Sequence, residues 1–118
     1  MACLASPEQL PIYAEVNSSD SKLLTPGGSA LNSARAYKHA NPGGSVAYFG
    51  CIGNDEFGKS LSEQVAKSGV DAKFSISDEV ATGTCAVLVG GAERTLCANI
   101  SAAKAYPLKH LEDNMVSK

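Results

Sequence analysis

Apolar residues recur along this chain with two different periods. Between Ala30 and Ala40 they follow a helical spacing, with Ala30, Leu31, Ala34 and Tyr37 on one face. Asn41-Pro42-Gly43-Gly44 then stops the helix. A second helix is predicted from about Glu56 to Ser68, with Phe57, Leu61 and Val65 as its apolar face and Gly69 as its C-terminal cap. Val46 to Ile52 is instead a near-continuous apolar run of strand length, the pattern of a central parallel strand covered on both faces. Val70 to Ile76 returns as a strand with partial alternation. Strand, helix and strand in succession predict a βαβ unit.

The flanking segments have other textures. Ser6-Pro7-Glu8-Gln9 reads as a helix start, with Ser6 as N-cap, Pro7 at the first helical position and Gln9 completing a capping box. Pro11 is expected to keep that helix short or irregular. Lys22-Leu23-Leu24-Thr25 reads as a short strand before a Pro26-Gly27-Gly28 turn. Thr84 to Val89 and Arg94 to Ile100 are β-type runs joined by Gly90-Gly91-Ala92-Glu93, which predicts an antiparallel hairpin with a four-residue loop. Leu108 to Val116 has a weak amphipathic helical pattern. The fold class is therefore α/β, with too few strands to complete a covered parallel sheet.

Composition narrows the function classes. The 118 residues are 44% hydrophobic and 19% charged, which is a globular rather than a disordered balance. Ten basic and twelve acidic residues, with no like-charge cluster longer than two, exclude a nucleic-acid-binding arm or a polybasic membrane patch. No apolar run approaches the roughly 20 residues of a membrane helix. The first seven residues lack the basic start and apolar length of a secretory signal, so an intracellular protein is expected, cytoplasmic first and the nucleus as the alternative compartment. The four cysteines form no Cys-x-x-Cys pair and read as structural or pocket-lining thiols. His39 and His110 stand beside lysines in polar helix ends and read as solvated surface.

Two stretches carry candidate chemistry. In Thr25-Pro26-Gly27-Gly28-Ser29-Ala30-Leu31-Asn32 a glycine pair precedes a helix, where a backbone can approach a ligand closely and free N–H groups face it. Asn32 would sit in the first turn, its amide able to donate and accept. The same pattern also suits an ordinary turn, and it lacks the Gly-Lys-Ser/Thr ending of a phosphate loop. The second stretch is Thr82-Gly83-Thr84-Cys85 with Arg94-Thr95-Leu96-Cys97-Ala98-Asn99-Ile100. Alternation puts Arg94, Leu96, Ala98 and Ile100 on one face, either an apolar lid with a cationic edge or a hairpin packed on its own domain with Arg94 solvated.

Together, G-G-S-A-L-N-S and V-A-Y-F-G-C-I-G-N-D-E-F-G resemble the N-terminal signature of the ribokinase-like (PfkB-type) sugar and nucleoside kinases. T-G-T-C followed by R-T-L-C-A-N-I-S-A-A is similar to the adenosine kinase branch of that family, and the resemblance runs from about Leu4 to Leu111. It implies a partial ribokinase-like fold: the βαβ portion of a mostly parallel sheet plus the β-hairpin of a lid at about 82–101, with residues 1–118 a fragment of one kinase domain. It implies that Gly27, Gly28 and Ser29 lie along a nucleoside and that Asn32 bonds its ribose hydroxyls. Leu4, Cys85, Leu96, Ala98 and Ile100 would make apolar contacts around adenosine. Arg94 would offset phosphate charge, as the one residue of this chain with a catalytic role.

The implied reaction is transfer of the γ-phosphate of ATP to the 5′-hydroxyl of adenosine, giving AMP in purine salvage. The implied complete enzyme is monomeric and uses ATP and Mg²⁺. The family's Gly-Ala-Gly-Asp segment, which supplies the general base, and its magnesium-associated Asn-x-x-Glu do not occur here, nor does its first strand with a ribose-clamping Asp. Neither ATP nor metal is therefore expected to be held by these residues alone. The expectation is a fragment, truncated gene model or short isoform without activity by itself, because base, metal and phosphate cradle act together in phosphoryl transfer. Another PfkB-type nucleoside or sugar kinase, or a non-catalytic remnant acting as an interaction module, are the alternatives.

Overall fold

The computed structural model describes residues 1–115. Ser6 starts a single 3₁₀ turn over Pro7–Gln9, where the Ser6 N–H donates to Gln9 Oε1 at 2.9 Å. The helix is short, as Pro11 predicts, and Pro11 itself begins another. Proline suits the first helical position, where its missing N–H is no loss, and α1 runs Pro11–Ser18. Residues 20–28 carry no strand among the described residues, so the strand expected at Lys22–Thr25 is absent. Leu23 is 88% exposed, and no strand among the described residues offers a ladder to this segment.

The βαβ unit forms as its periodicity predicts. Helix α2 (Ser29–Ala40) leads into β2 (Ala47–Gly53), α3 (Glu56–Lys67) and β3 (Asp71–Ser77). β2 and β3 pair in parallel from Ala47↔Asp71 to Gly53↔Ser77. Leu31 and Ala34 of α2, Val65 of α3 and Val70 make the buried core, with Tyr48, Leu61, Ala72 and Phe74 packed against it. Tyr48 and Phe74 meet edge to face at 5.9 Å, a favoured aromatic geometry. Three positions of the expected helix faces stay outside that core: Ala30 is exposed, Tyr37 is 45% exposed, and Phe57 lies in the first turn of α3 on the surface. β2 is also not the doubly covered central strand that its apolar run suggests. It has one strand neighbour among the described residues, and only its last three residues are buried.

A second sheet has three strands in the order β1-β5-β4, with β1 Ala2–Leu4, β4 Thr84–Gly90 and β5 Glu93–Asn99. β4 and β5 form the expected antiparallel hairpin, but Gly90 pairs with Glu93, so the loop has two residues instead of four. Gly91 makes this possible with φ +59°, since two-residue hairpin loops need a positive φ at their first position. β1 adds in parallel beside β5. Helix α1 covers one face of this sheet, where the Tyr13 hydroxyl donates to the Cys97 carbonyl at 2.7 Å.

Burial and this contact with Cys97, with the neighbouring thiols, push the Tyr13 phenol up to about 12. Tyr13→Phe is expected to cost about 1 kcal/mol in a urea melt, the net worth of one such bond. The Tyr13 contribution is fully present below the unfolded phenol value near 10 and is lost as pH rises through about 12. An ultraviolet phenolate titration of the wild type against this variant reads it directly.

β5 ends at Asn99. Ile100 turns into a 3₁₀ segment, Ser101–Ala105, that packs near β2, so it leaves the strand alternation expected of it. The last helix, α4 (Leu108–Met115), matches its pattern, and Val116 lies outside the described residues. His39 is exposed as expected, whereas His110 Nδ1 shares a 3.0 Å hydrogen bond with the Tyr106 hydroxyl. No helix of the described residues is long and apolar enough to cross a membrane.

Candidate functional site

Residues directly opposite one another on paired strands point to the same side of a sheet. Register therefore gathers Leu4, Ala98 and Cys85 in one row across the three strands, and Ala2, Leu96 and Val87 in the next. Val89 and Arg94 form a third pair near the turn. This side is open: Leu4 is 62% exposed, and Val87 and Val89 also face solvent. The opposite side is partly covered, with Ala86 and Cys97 buried beneath α1 and Leu88 still 44% exposed. An apolar sheet face left uncovered beside a covered one marks a surface built to meet something.

Arg94 is exposed at the turn end of this face, and its guanidinium makes no hydrogen bond or ion pair among the described residues. Cys85 faces solvent too, yet its apolar setting raises its thiol above the ordinary value, with the charges of Cys97 and Cys3 adding to the effect. It stays a neutral thiol, a small apolar surface rather than a nucleophile. Of the six hairpin-side candidates, Leu4, Cys85, Leu96 and Ala98 share the face with Arg94 at its edge. Ile100 sits beyond the strand, half-buried.

The glycine pair is on the other unit. Pro26 is buried, Gly27 and Gly28 are exposed, and Gly28 is the N-cap of α2 with φ +97°, a region closed to most side chains. The space before both glycines is empty within 4 Å of where a Cβ would stand. The Asn32 N–H donates to the Gly28 carbonyl at 2.9 Å, which closes the first turn. No side chain caps this helix, so the N–H groups that precede Asn32 and the positive dipole end face the open space, as does the exposed Asn32. Ser29 opens the helix and accepts the Ser33 hydroxyl through its carbonyl. Among the described residues no hydrogen bond joins Gly27–Asn32 to the three-stranded sheet.

One feature escaped the sequence patterns. Asp55, the N-cap of α3, accepts the Gly58 N–H at 2.8 Å, the Thr82 N–H at 2.8 Å and the Thr82 hydroxyl at 2.6 Å. Thr82 Oγ1 in turn accepts the Gly53 N–H at 2.9 Å. This clasp ties the end of β2 and the start of α3 to the segment that enters β4. Burial works to raise the Asp55 carboxyl, but the bonds from Thr82, Gly58 and Phe57 prevail and hold it below its ordinary value. An Asp just before a helical run signals an N-cap, whereas nothing local signals a partner 27 residues away.

Comparison with known proteins matches residues 2–117 to the pfkB family carbohydrate kinase. The adenosine kinase of Schizosaccharomyces pombe is 40% identical over 99% of this chain and 34% of its own length. Adenosine kinase 2 of Arabidopsis thaliana is 36% identical over 94% of this chain and 32% of its own. Among solved structures, Anopheles gambiae adenosine kinase in complex with P1,P4-di(adenosine-5) tetraphosphate superposes with a TM-score of 0.86 at 36% identity, covering 94% of this chain and 33% of that one. Schistosoma mansoni adenosine kinase, in complex with adenosine in an occluded loop conformation, gives a TM-score of 0.86 at 28% identity over 95% of this chain and 33% of that one. The chain spans about a third of the length of the relatives it matches.

Proposed function

The chain belongs to the pfkB family of carbohydrate kinases, and on that premise we propose that it is the adenosine-facing part of an adenosine kinase. The complete enzyme transfers the γ-phosphoryl group of ATP to the adenosine 5′-hydroxyl. The single observation that carries this reading is the register that lines up Leu4, Cys85, Leu96 and Ala98 on one open apolar face with Arg94 at its edge.

In this reading the three-stranded sheet closes over the N-terminus of α2 with the nucleoside between them. Apolar side chains take the purine, while a few polar anchors fix its orientation. The bare backbone at Gly27 and Gly28 lets the ribose come close, and the Asn32 amide bonds its hydroxyls. Arg94, with no side-chain partner among the described residues, offsets phosphate charge when the sheet closes. The described residues hold no group of three His, Cys, Asp or Glu suited to a metal ion. The 118 residues also lack the Gly-Ala-Gly-Asp and Asn-x-x-Glu segments, so no residue of this chain is assigned to Mg²⁺ or to proton abstraction.

Adenosine titrated into the 15N-labelled 118-residue chain is expected to shift the amides of Gly28, Asn32, Cys85 and Leu96 together. Asn32→Ala should weaken binding about tenfold, as for loss of a ribose hydrogen bond. Shifts confined to one of the two walls, or no saturation up to about 10 mM adenosine, would overturn the reading. With ATP and magnesium present, the chain by itself is expected to form no AMP.

A non-catalytic remnant that binds other protein draws its support from the free outer edges of β2 and β4. Saturable adenosine binding at both walls is the outcome that it does not predict.

A further inference from the structure

The α1-facing side of the three-stranded sheet holds a pair of thiols that the adenosine reading does not use. Cys3 of β1 and Cys97 of β5 are direct partners in the parallel register, so both side chains project beneath α1. Neighbouring strands lie about 4.8 Å apart, inside the Cα separation that a disulfide spans. Both residues line the same cavity of about 320 Å³ between this sheet face and α1, together with Glu8, Gln9, Ile12 and Glu15. The other two cysteines are elsewhere: Cys51 is buried in the βαβ sheet, and Cys85 is on the opposite side of its own sheet.

The two thiols have unequal surroundings. Cys3 is half-buried and open to a small oxidant through the cavity, whereas Cys97 is buried beneath Tyr13. Gln9 Nε2 donates to Cys3 Sγ at 3.8 Å. The Ser6 N–H holds the other end of that amide by donating to Oε1, which leaves the NH₂ group toward the sulfur.

We propose that Cys3 and Cys97 form a peroxide-sensitive dithiol, with Cys3 as the sulfur that reacts with the peroxide and Cys97 as the resolving one. The Cys3 thiolate attacks one oxygen of a hydroperoxide. An S–O bond forms, the O–O bond breaks, and the second oxygen leaves as water or an alcohol. The Cys97 sulfur then attacks the Cys3 sulfenic acid. An S–S bond forms, the S–O bond breaks, and the hydroxyl departs as water with the Cys97 proton. Two thiols lose two electrons and two protons, and one hydroperoxide is reduced.

Such a bond would staple β1, a strand of three residues at the sheet edge, to the centre of β5. β1 carries Leu4, so oxidation would also fix Leu4 beside Ala98 on the open face. The site stands on register and cavity alone and does not depend on the adenosine assignment.

The test treats the 118-residue chain with equimolar hydrogen peroxide and maps its peptides without reduction. The expected product is two hydrogens lighter and contains one linkage, Cys3 to Cys97. Its melting temperature rises by about 5 °C or more, because a long loop is closed, and a thiol reductant reverses the rise. Exchange of the Ala5 amide, which bonds to the Ala98 carbonyl at 2.9 Å, should slow at least tenfold. Cys97→Ser should strand Cys3 as an oxygen adduct, whereas Cys3→Ser should leave Cys97 reduced. A major product linked through Cys51 or Cys85, a disulfide between two chains, or a Cys3–Cys97 bond that leaves Ala5 exchange unchanged would each overturn the proposal.

Discussion

Leu31→Ala is expected to lower stability by about 3 kcal/mol, within the usual cost of emptying a leucine site. Leu31 and Val65 are the largest side chains that are fully buried. They meet where α2 and α3 cross the β2–β3 sheet, with Ala34 and Val70 around them. Alanine would leave a void that two helices and a sheet cannot close together without moving α2. That movement would reach the candidate site, because Leu31 follows Gly28 by three residues and pins the first turn to the core. Leu23→Ala is the control: it removes the same atoms from a side chain 88% exposed and should stay within about 0.5 kcal/mol. Urea midpoints of the two variants measure the contrast. A loss below about 1 kcal/mol for Leu31→Ala would mean that this packing is not the core.

What the sequence made legible was what short-range patterns encode. Helical spacing located α2 and α3 to within a residue or two, and an apolar run with its return located β2 and β3. Both strands of the hairpin were readable, but its loop length was not, since Gly90-Gly91-Ala92-Glu93 can be divided between turn and strand in more than one way. Pairing between distant segments was beyond local reading altogether. Three residues, Ala2–Leu4, carry no strand pattern of their own, and β5 alone makes them a strand. Leu23 and Leu24 show the converse, an apolar pair with strand composition and no ladder to join. The candidate residues Leu4, Cys85, Leu96 and Ala98 came from a resemblance, while the reason they share a face lies in register. The same register aligned Cys3 with Cys97, which sit 94 positions apart in the chain.

Asp55→Ala should be as costly as the core substitution, for a different reason. The alanine removes the N-cap of α3, worth about 1 kcal/mol. It also strips Thr82, one of the few buried polar residues, of the acceptor for its N–H and of the nearer acceptor for its hydroxyl, leaving that hydroxyl only the Gly53 carbonyl at 3.5 Å. An unsatisfied buried donor costs about 1 to 3 kcal/mol more, so a total near 3 kcal/mol is expected. The neighbourhood cannot relax to absorb the change, because a Cβ on Gly58 would already stand 2.3 Å from the Gly53 carbonyl oxygen. Asp55→Asn separates the two contributions. Asparagine caps a helix as well as aspartate does, but its NH₂ group would replace the oxygen that accepts the Thr82 N–H.

The pH dependence follows from the direction of the shift. Asp55 is held below its ordinary carboxylate value in the fold, so its contribution is complete above the unfolded value near 3.9 and disappears as pH falls through the lower folded value. Acid unfolding followed by circular dichroism should therefore be steeper for the wild type than for Asp55→Asn in that window, with the curves parallel above pH of about 5. Because Thr82 leads into β4, the same bonds tie the root of the arginine-bearing sheet to the βαβ unit. A double-mutant cycle between Asp55→Ala and Thr82→Ala should return a coupling of about 1 to 2 kcal/mol. Additive losses would mean that the two residues act separately and that the sheet is held at its root by something else.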